Sequence, residues 1–189
     1  NGAVRLTDTG TVAATVLSGI GGTTGGTVTV TGAMTITGST EEITNALVTE
    51  ASKVVATTSA NVTFGDNPTG AQLASINDAA GGTITLNANG QAFTGTAAQM
   101  KSAFAGGLAG TQTGAVKISD TTGTIAATTL TDITAQTSGT VTAAASGITI
   151  SGTTEEVTAA IVTTETKAVM ENGAVRLTDT GTVAATVLS

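Results

Sequence analysis

Carboxylates are the side chains of this sequence that could carry chemistry, because the chain contains no His, Cys, Trp or Tyr. Proton transfer near neutral pH would therefore fall to a carboxylate or a lysine. Two pairs of adjacent glutamates occur, at Glu41-Glu42 and at Glu155-Glu156. Adjacent residues on a helix do not face each other, and the helix dipole favours acidic side chains in a first turn. The pairs therefore predict helix starts, and we expect no catalytic residues and no enzyme.

Four aspartates end copies of a short motif, V-x-[LIF]-x-D. They are Asp8, Asp66, Asp120 and Asp179. Each follows a predicted strand and precedes a predicted helix, so the set could be a ladder of calcium ligands or a set of helix caps. Calcium takes roughly six to eight oxygen ligands, and the GGxGxD nonapeptides of calcium-loaded β-rolls are missing. We expect helix caps, no cofactor and no metal site, and calcium is left as an alternative without a supporting motif.

The motif belongs to a hierarchy of repeats. Residues 1–18 (NGAVRLTDTGTVAATVLS) return letter for letter as residues 172–189. Such self-similarity is the signature of a tandem array, so we expect residues 1–171 to be one full period and residues 172–189 to be the start of the next identical one. Within the period, three sub-repeats cover about 1–58, 59–113 and 114–171. Each sub-repeat divides again into two units of about 28 residues.

The smallest repeat unit reads as strand, turn, strand and short helix. Residues 27–31 (TVTVT) alternate β-branched side chains, which predicts a half-buried strand with its valines inward. Residues 34–37 predict a second strand, and the capping-box spacing of Ser39 and Glu42 predicts a helix. Further helix starts are predicted at Thr96 with Gln99, at Thr153 with Glu156, and at Asn67 as N-cap before Pro68.

These elements predict a three-sided parallel αβ-solenoid with about 28 residues per turn, two parallel sheets and one helical side. Stacking would pool the small apolar faces, which a single unit cannot bury alone. The alternative is a row of tandem β-sandwich domains of about 100 residues each. Helix caps in every unit and an aromatic content of 2% favour the solenoid over the sandwich.

The composition argues against nucleic acid as a partner and against a membrane-spanning segment. Six basic and thirteen acidic residues give a net charge of −7, so a nucleic-acid backbone has little to bind. Hydrophobic residues at 40% with only 10% charged residues predict a folded chain and not a disordered one. No apolar run approaches the roughly 18 residues of a membrane span. We therefore expect neither nucleic acid nor a membrane-spanning segment.

Threonines in T-x-T pairs raise a second hypothesis, a ligand-binding face for ice or glycans. Such pairs occur at Thr27/Thr29, Thr35/Thr37 and Thr83/Thr85. Flat faces with ranked threonines can present regularly spaced hydroxyl and methyl groups. The predicted register places Arg5, Lys117 and Arg176 between the rows of Thr35 and Thr149, which would interrupt the array. Ice binding is therefore the alternative and not the first hypothesis.

Three stretches carry a resemblance to a known class of protein. They are residues 4–20 (VRLTDTGTVAATVLSGI), residues 24–30 (TGGTVTV) and residues 36–43 (ITGSTEEI). They resemble the repeats of giant bacterial "beta strand repeat-containing" surface proteins, notably those of marine cyanobacteria. Thr40-Glu41-Glu42 departs from the Thr-Ala-Ala typical of such repeats, which residues 96–98 keep. The resemblance implies an extracellular, adhesin-like surface protein and supplies no catalytic or ligand-binding residues.

Taken together, the sequence predicts a structural segment of a very large extracellular bacterial repeat protein that forms a rod, filament or surface layer, such as an adhesin stalk. Its expected partner is itself, head to tail or by covalent continuation of the array. The cell surface and glycans are further candidate partners. The expected location is extracellular, at the cell surface.

Overall fold

The structure is a computed structural model that describes residues 2–56, 60–163 and 168–180. Six α-helices lie in these ranges: α1 (Ala14–Thr23), α2 (Thr40–Leu47), α3 (Gly70–Ala79), α4 (Ala97–Phe104), α5 (Ala127–Gln136) and α6 (Thr154–Ile161). A 3₁₀ turn covers Glu50–Ser52. The strands are β1 (Val4–Leu6), β2 (Thr11–Ala13), β3 (Val28–Val30), β4 (Thr35–Gly38), β5 (Val54–Ala56), β6 (Asn61–Phe64), β7 (Ile84–Thr85), β8 (Phe93–Gly95), β9 (Val116–Ile118), β10 (Thr122–Ala126), β11 (Val141–Ala143), β12 (Gly147–Gly152), β13 (Ala168–Met170) and β14 (Ala174–Leu177).

The chain forms two compact units. In the described residues, the first unit comprises 2–56, 60–89 and 102–110, and the second comprises 90–101, 111–163 and 168–180. The first unit contains the sheets β1-β3-β5 and β2-β4-β6-β7, and the second contains β13-β11-β9-β8 and β10-β12-β14. Every strand pair in these sheets is parallel. Parallel neighbours need a crossover, and α-helices lie in most of these connections.

Rows of apolar side chains hold each sheet to its helices. Val4 lies opposite Val28, and Leu6 lies opposite Val30. Val28 and Val30 are fully buried, which confirms the predicted strand with inward valines. In the neighbouring sheet, Ile36 is paired with Val62 and both are fully buried. Small β-branched side chains at alternate positions therefore build the core of the first unit.

Helix starts follow the capping spacings in the sequence, with one exception. Ser39 with Glu42 and Thr153 with Glu156 form the predicted capping boxes, and Thr96 with Gln99 makes the same reciprocal hydrogen bonds. The predicted start at Asn67-Pro68 is wrong. Helix α3 begins at Gly70 after the N-cap Thr69, whose box partner is Gln72. A reciprocal box satisfies two backbone N–H groups, whereas an Asn-Pro start would satisfy fewer.

The predicted three-sided αβ-solenoid is wrong. The described residues form a small α/β fold with four separate parallel sheets of three or four strands, divided between two compact units. The prediction required two sheets that run through the whole period in one regular register. It aligned Val4 with Met34, whereas the structure pairs Val4 with Val28. The strands also differ in length, from two residues in β7 to six in β12, so the copies do not repeat one regular strand pattern.

The alternative of tandem β-sandwich domains is also wrong, because a β-sandwich is built from antiparallel sheets and all the strand pairs described here are parallel. The division of residues 1–171 into sub-repeats at 1–58, 59–113 and 114–171 concerns sequence repetition. It stays a prediction, as does the start of a further period at residue 172.

Close packing of α1 against the 3₁₀ turn gives a first testable prediction. A Cβ added to Gly21 would lie 1.6 Å from the backbone oxygen of Ser52, whereas one added to the adjacent Gly22 would meet no atom within 4 Å. We expect Gly21→Ala to lower the free energy of unfolding by about 1–3 kcal/mol or more through overpacking. The matched control Gly22→Ala should leave it unchanged or raise it by up to about 1 kcal/mol, because Ala is favoured over Gly within a helix. Urea unfolding monitored by circular dichroism measures both, and equal effects would contradict the packing.

Candidate interaction site: the strand ends and aspartate caps

One arrangement recurs three times where a motif strand ends beside a helix start. The residue after the strand donates its backbone N–H to a glycine carbonyl of the preceding parallel strand. The pairs are Gly65 to Gly38 at 2.8 Å, Ser119 to Gly95 at 2.8 Å, and Thr178 to Gly152 at 2.9 Å. In each case a helix begins two residues after the glycine. We call this arrangement the junction.

The motif aspartate completes each junction. The Asp66 carboxylate accepts the backbone N–H of Thr40 at 2.7 Å and its hydroxyl at 2.6 Å. Asp179 accepts the same two groups of Thr154 at 2.6 and 2.7 Å. Asp120 accepts the N–H of Ala97 at 2.6 Å. Three of the four motif aspartates therefore cap helices, as the sequence predicts, and each caps the helix of the preceding unit and not its own.

The junction provides acceptors for the backbone N–H groups at the helix start. In α2, Asp66 takes the N–H of Thr40, the Ser39 hydroxyl takes the N–H of Glu42 at 3.3 Å, and the Glu42 carboxylate takes the N–H of Ser39 at 2.8 Å. The first N–H groups of a helix have no partner within it, so these three acceptors stabilise the start. The glutamates of the two adjacent pairs thus serve helix starts, as predicted.

A glycine leaves room for the capping side chain in the strand that accepts the junction. A Cβ on Gly38 would lie 2.9 Å from the Glu42 carboxylate, and one on Gly152 would lie 2.8 Å from the Glu156 carboxylate. The capping side chain therefore folds back over the space that a larger residue would fill. Sequence reasoning missed these glycines and the Thr40 and Thr154 hydroxyls. The signal that could have found them is the recurrence of a Gly directly before the capping pair at each of the three junctions, at residues 38, 95 and 152.

Electrostatics at the last junction favour the ionised carboxyl group. The hydrogen bond from the Thr154 hydroxyl, together with the bond from the Thr154 backbone N–H, lowers the pKa of Asp179 below its ordinary value. Both bonds are donated to the charged form and favour it. The junction is thus strongest when Asp179 carries its charge.

The fourth motif copy uses the opposite edge of its strand. In β1 the Val4 N–H donates to the Thr27 carbonyl, and the Leu6 carbonyl accepts from Thr31, both at 2.9 Å and both toward β3. Adjacent residues of a parallel strand direct their backbone groups to opposite sides, so the Thr7 N–H faces away from β3. In the identical copy, Thr178 makes the bond to Gly152. Strand β1 and strand β14 therefore use complementary sets of backbone groups.

Asp8 also lacks the partner that its copies have. Its side chain is exposed, and no hydrogen bond or ion pair joins it to the part of the chain that the structure describes. The predicted cap is therefore formed by Asp66, Asp120 and Asp179, while Asp8 presents the same carboxylate at the open edge of β1.

The threonine rows follow a register different from the predicted one. Arg5 lies opposite Thr29 and not beside Thr35, so the predicted interruption by Arg5 is wrong. Instead, Thr37 lies opposite Thr63, and Thr63 lies opposite Thr85. The row occupies three adjacent strands, about 4.8 Å apart. In the second unit the predicted interruption of the Thr149 row is also wrong, since Thr149 lies opposite Ala174, Arg176 lies opposite Ser151, and Lys117 lies opposite Thr142 in another sheet.

A shallow cavity of about 630 Å³ in the first unit lies near Asn77, Asp78 and Gly82. Its polar side chains are already bonded within the chain. The Asn77 amide donates to the carbonyls of Ser102 and Ala105, and the Asp78 carboxylate accepts from the Ser102 hydroxyl at 2.6 Å. These contacts hold α3 to the end of α4, so the groups that line the cavity serve packing.

No family of proteins, no curated protein and no solved structure matches this chain. Among the residues that the structure describes, no helix is long and apolar enough to cross a bilayer. Within the same residues, no group of three or more acidic side chains is arranged to hold a metal ion. The candidate site consists of the junctions and of the edge of β1 that faces away from β3, which is unpaired within the described residues.

The Asp179 junction gives a second prediction. Because its pKa is lowered on folding, the junction stabilises the fold at pH values above the unfolded carboxyl pKa, and this stabilisation is lost as pH falls through the lowered value. Thr154→Val removes the hydroxyl donor, and we expect the pKa of Asp179 to rise toward its ordinary value. A carbon-detected NMR titration of the carboxyl groups measures the shift. Thr158→Val, on the same helix, should leave it unchanged, and an unmoved pKa in Thr154→Val would contradict the assigned cause.

Proposed function

We propose that this chain is a structural segment of a large extracellular bacterial repeat protein, in which successive periods join by strand addition into a rod, filament or surface layer. The observation that carries the proposal is the use of one identical strand in two ways. Residues 4–6 bond to β3 through one edge, and their copies, residues 175–177, bond to β12 through the other. A single strand in a longer array can make both sets of bonds at once.

The backbone groups at the boundary support this proposal. In β14 the N–H of Val175 faces away from β12, because Thr178, at the opposite parity, bonds to Gly152. The equivalent N–H of Val4 bonds to Thr27. Val175 is also 43% exposed, whereas Val4 is half-buried beside β3. Val175 donates no backbone hydrogen bond to the residues that the structure describes, and a following copy of β3 would accept that bond and cover the Val175 side chain.

Composition and resemblance supply the remainder of the proposal. Open edges of sheets are templates for pairing with a further chain or segment, so the partner is another copy of this sequence. The extracellular location rests on the resemblance of residues 4–43 to bacterial surface repeats. The proposed function needs no catalytic group: the chain contributes length and cohesion.

Hydrogen exchange in a two-period chain tests this function. We expect a chain of residues 1–171 followed by residues 1–189 to protect the Val175 amide at least tenfold more than the single chain does, because the next β3 accepts its hydrogen bond. Thr178, which is bonded in both chains, is the internal control. Exchange followed by NMR measures both amides.

Electron microscopy of the same two-period chain gives the second readout. Straight particles of about twice the single-chain length support extension. Two separate globules joined by a linker, with Val175 exchanging as fast as in the single chain, would overturn the proposed function.

The threonine row favours one second candidate, an ice-binding face on the sheet β2-β4-β6-β7. Thr37, Thr63 and Thr85 form an unbroken row across three strands, and Thr35 lies opposite Thr11 in the row beside it. Threonine methyl and hydroxyl groups repeated at about 4.8 Å present a regular surface to ordered water. This face is independent of the strand edges, so it is compatible with the structural function.

Thr63→Lys tests the second candidate. A charged side chain in the centre of the row should abolish any freezing hysteresis and ice-crystal shaping of the chain. Thr29→Lys, on the sheet β1-β3-β5 beside Arg5, is the matched control and should leave both unchanged. If micromolar protein with the native sequence does not alter ice growth, the candidate is lost.

A further inference from the structure

The last junction holds a segment that the chain contains twice. Residues 174–179 are seated on β12 and on the first turn of α6 by strand pairing, by the Thr178 to Gly152 hydrogen bond and by the Asp179 to Thr154 cap. Residues 3–8 have the same sequence. We call the surface formed by β12 and residues 152–154 the seat.

Residues 3–8 carry everything that the seat recognises. The Thr7 N–H faces the open edge of β1, as the bonds of Val4 and Leu6 to β3 require. The Asp8 carboxylate is exposed and makes no hydrogen bond with the described residues. The bonds from β1 to β3 use the other edge, so the segment can enter a seat without giving up its own sheet.

We propose that residues 3–8 of one molecule replace residues 174–179 in the seat of a second molecule, so that copies of this chain link head to tail by strand exchange. The inference rests on the proposed function, and it adds that separate chains can form the boundary that a covalent array forms. The occupant is a second copy of this chain, because the segment it displaces is identical to it.

The free energy of the exchange is a small difference between the interactions that form and those that break. The entering segment makes the same contacts with the seat as the leaving one, so the enthalpy of the seat is nearly unchanged. The released tail regains conformational freedom, while association costs translational and rotational freedom. Strand β14 lies at the edge of its sheet and Val175 is 43% exposed, and such edge segments detach more readily than central ones.

Substitutions at Asp8 and Asp179, which are equivalent positions in the two copies, should change the association constant in opposite directions. Asp8→Ala removes the cap from the entering segment, and we expect the association constant to fall about tenfold, the ratio for one helix-cap interaction. Asp179→Ala removes the cap from the leaving segment, and we expect the constant to rise about tenfold. The double variant weakens both segments equally and should associate like the native chain. Sedimentation equilibrium of the four chains of residues 1–189, from micromolar to millimolar concentration, measures this, and circular dichroism verifies that each is folded.

Each outcome decides the proposal. Opposite shifts with restoration in the double variant support exchange at this seat. Equal association constants in all four chains, or a monomeric Asp179→Ala chain at every concentration, would overturn it. The proposed function is tested separately, since Val175 protection in the covalent two-period chain requires no exchange. If Val175 is protected in the two-period chain but Asp8→Ala does not change the association constant, only this inference fails. If Val175 is not protected in the two-period chain, the proposed function fails.

Discussion

The hydrogen bond that a motif aspartate accepts from the start of the preceding helix is the interaction on which the rest of the structure depends. It joins residues 23 to 26 positions apart in the sequence. The neighbouring N–H to glycine bond fixes the parallel strand beside it. Because parallel strands cannot meet through a tight turn, each unit needs a long-range contact that sets its register. In a chain with few aromatic side chains and no cysteine, a charged aspartate cap provides one at the starts of α2, α4 and α6.

Local signals in the sequence predicted the helix starts well, because a capping box is defined by residues three apart. Ser39 with Glu42 and Thr153 with Glu156 were readable for that reason. The role of the aspartates was also predictable, since a carboxylate between a strand and a helix favours a cap over a metal site when no calcium motif is present. Which helix each aspartate caps was not predictable, because the partner lies in the preceding unit.

The register and the fold class failed for a physical reason. The prediction aligned motif copies such as Val4 and Met34 by sequence likeness, whereas the structure pairs the residues whose β-branched side chains fill one row of the core, as in Val4 with Val28. A parallel strand of three residues carries too little pattern to fix that choice. Helices α1 and α5 begin after Ala13 and Ala126 without a side-chain cap, so no sequence signal marked the connections that separate the sheets.

Residues 3–8 and 174–179 have the same sequence, and this identity matters at the seat, where residues 174–179 are bound. A surface that holds one segment through backbone bonds and one carboxylate cannot distinguish that segment from a copy with the same residues. A substitution in either copy would change which copy binds the seat. If residues 174–179 bound it more weakly, links between chains would be favoured. If residues 3–8 bound it more weakly, single chains with residues 174–179 in their own seat would be favoured. The Asp120 junction forms with Ala97 in place of a threonine, because Asp120 accepts a backbone N–H, which every residue other than proline carries.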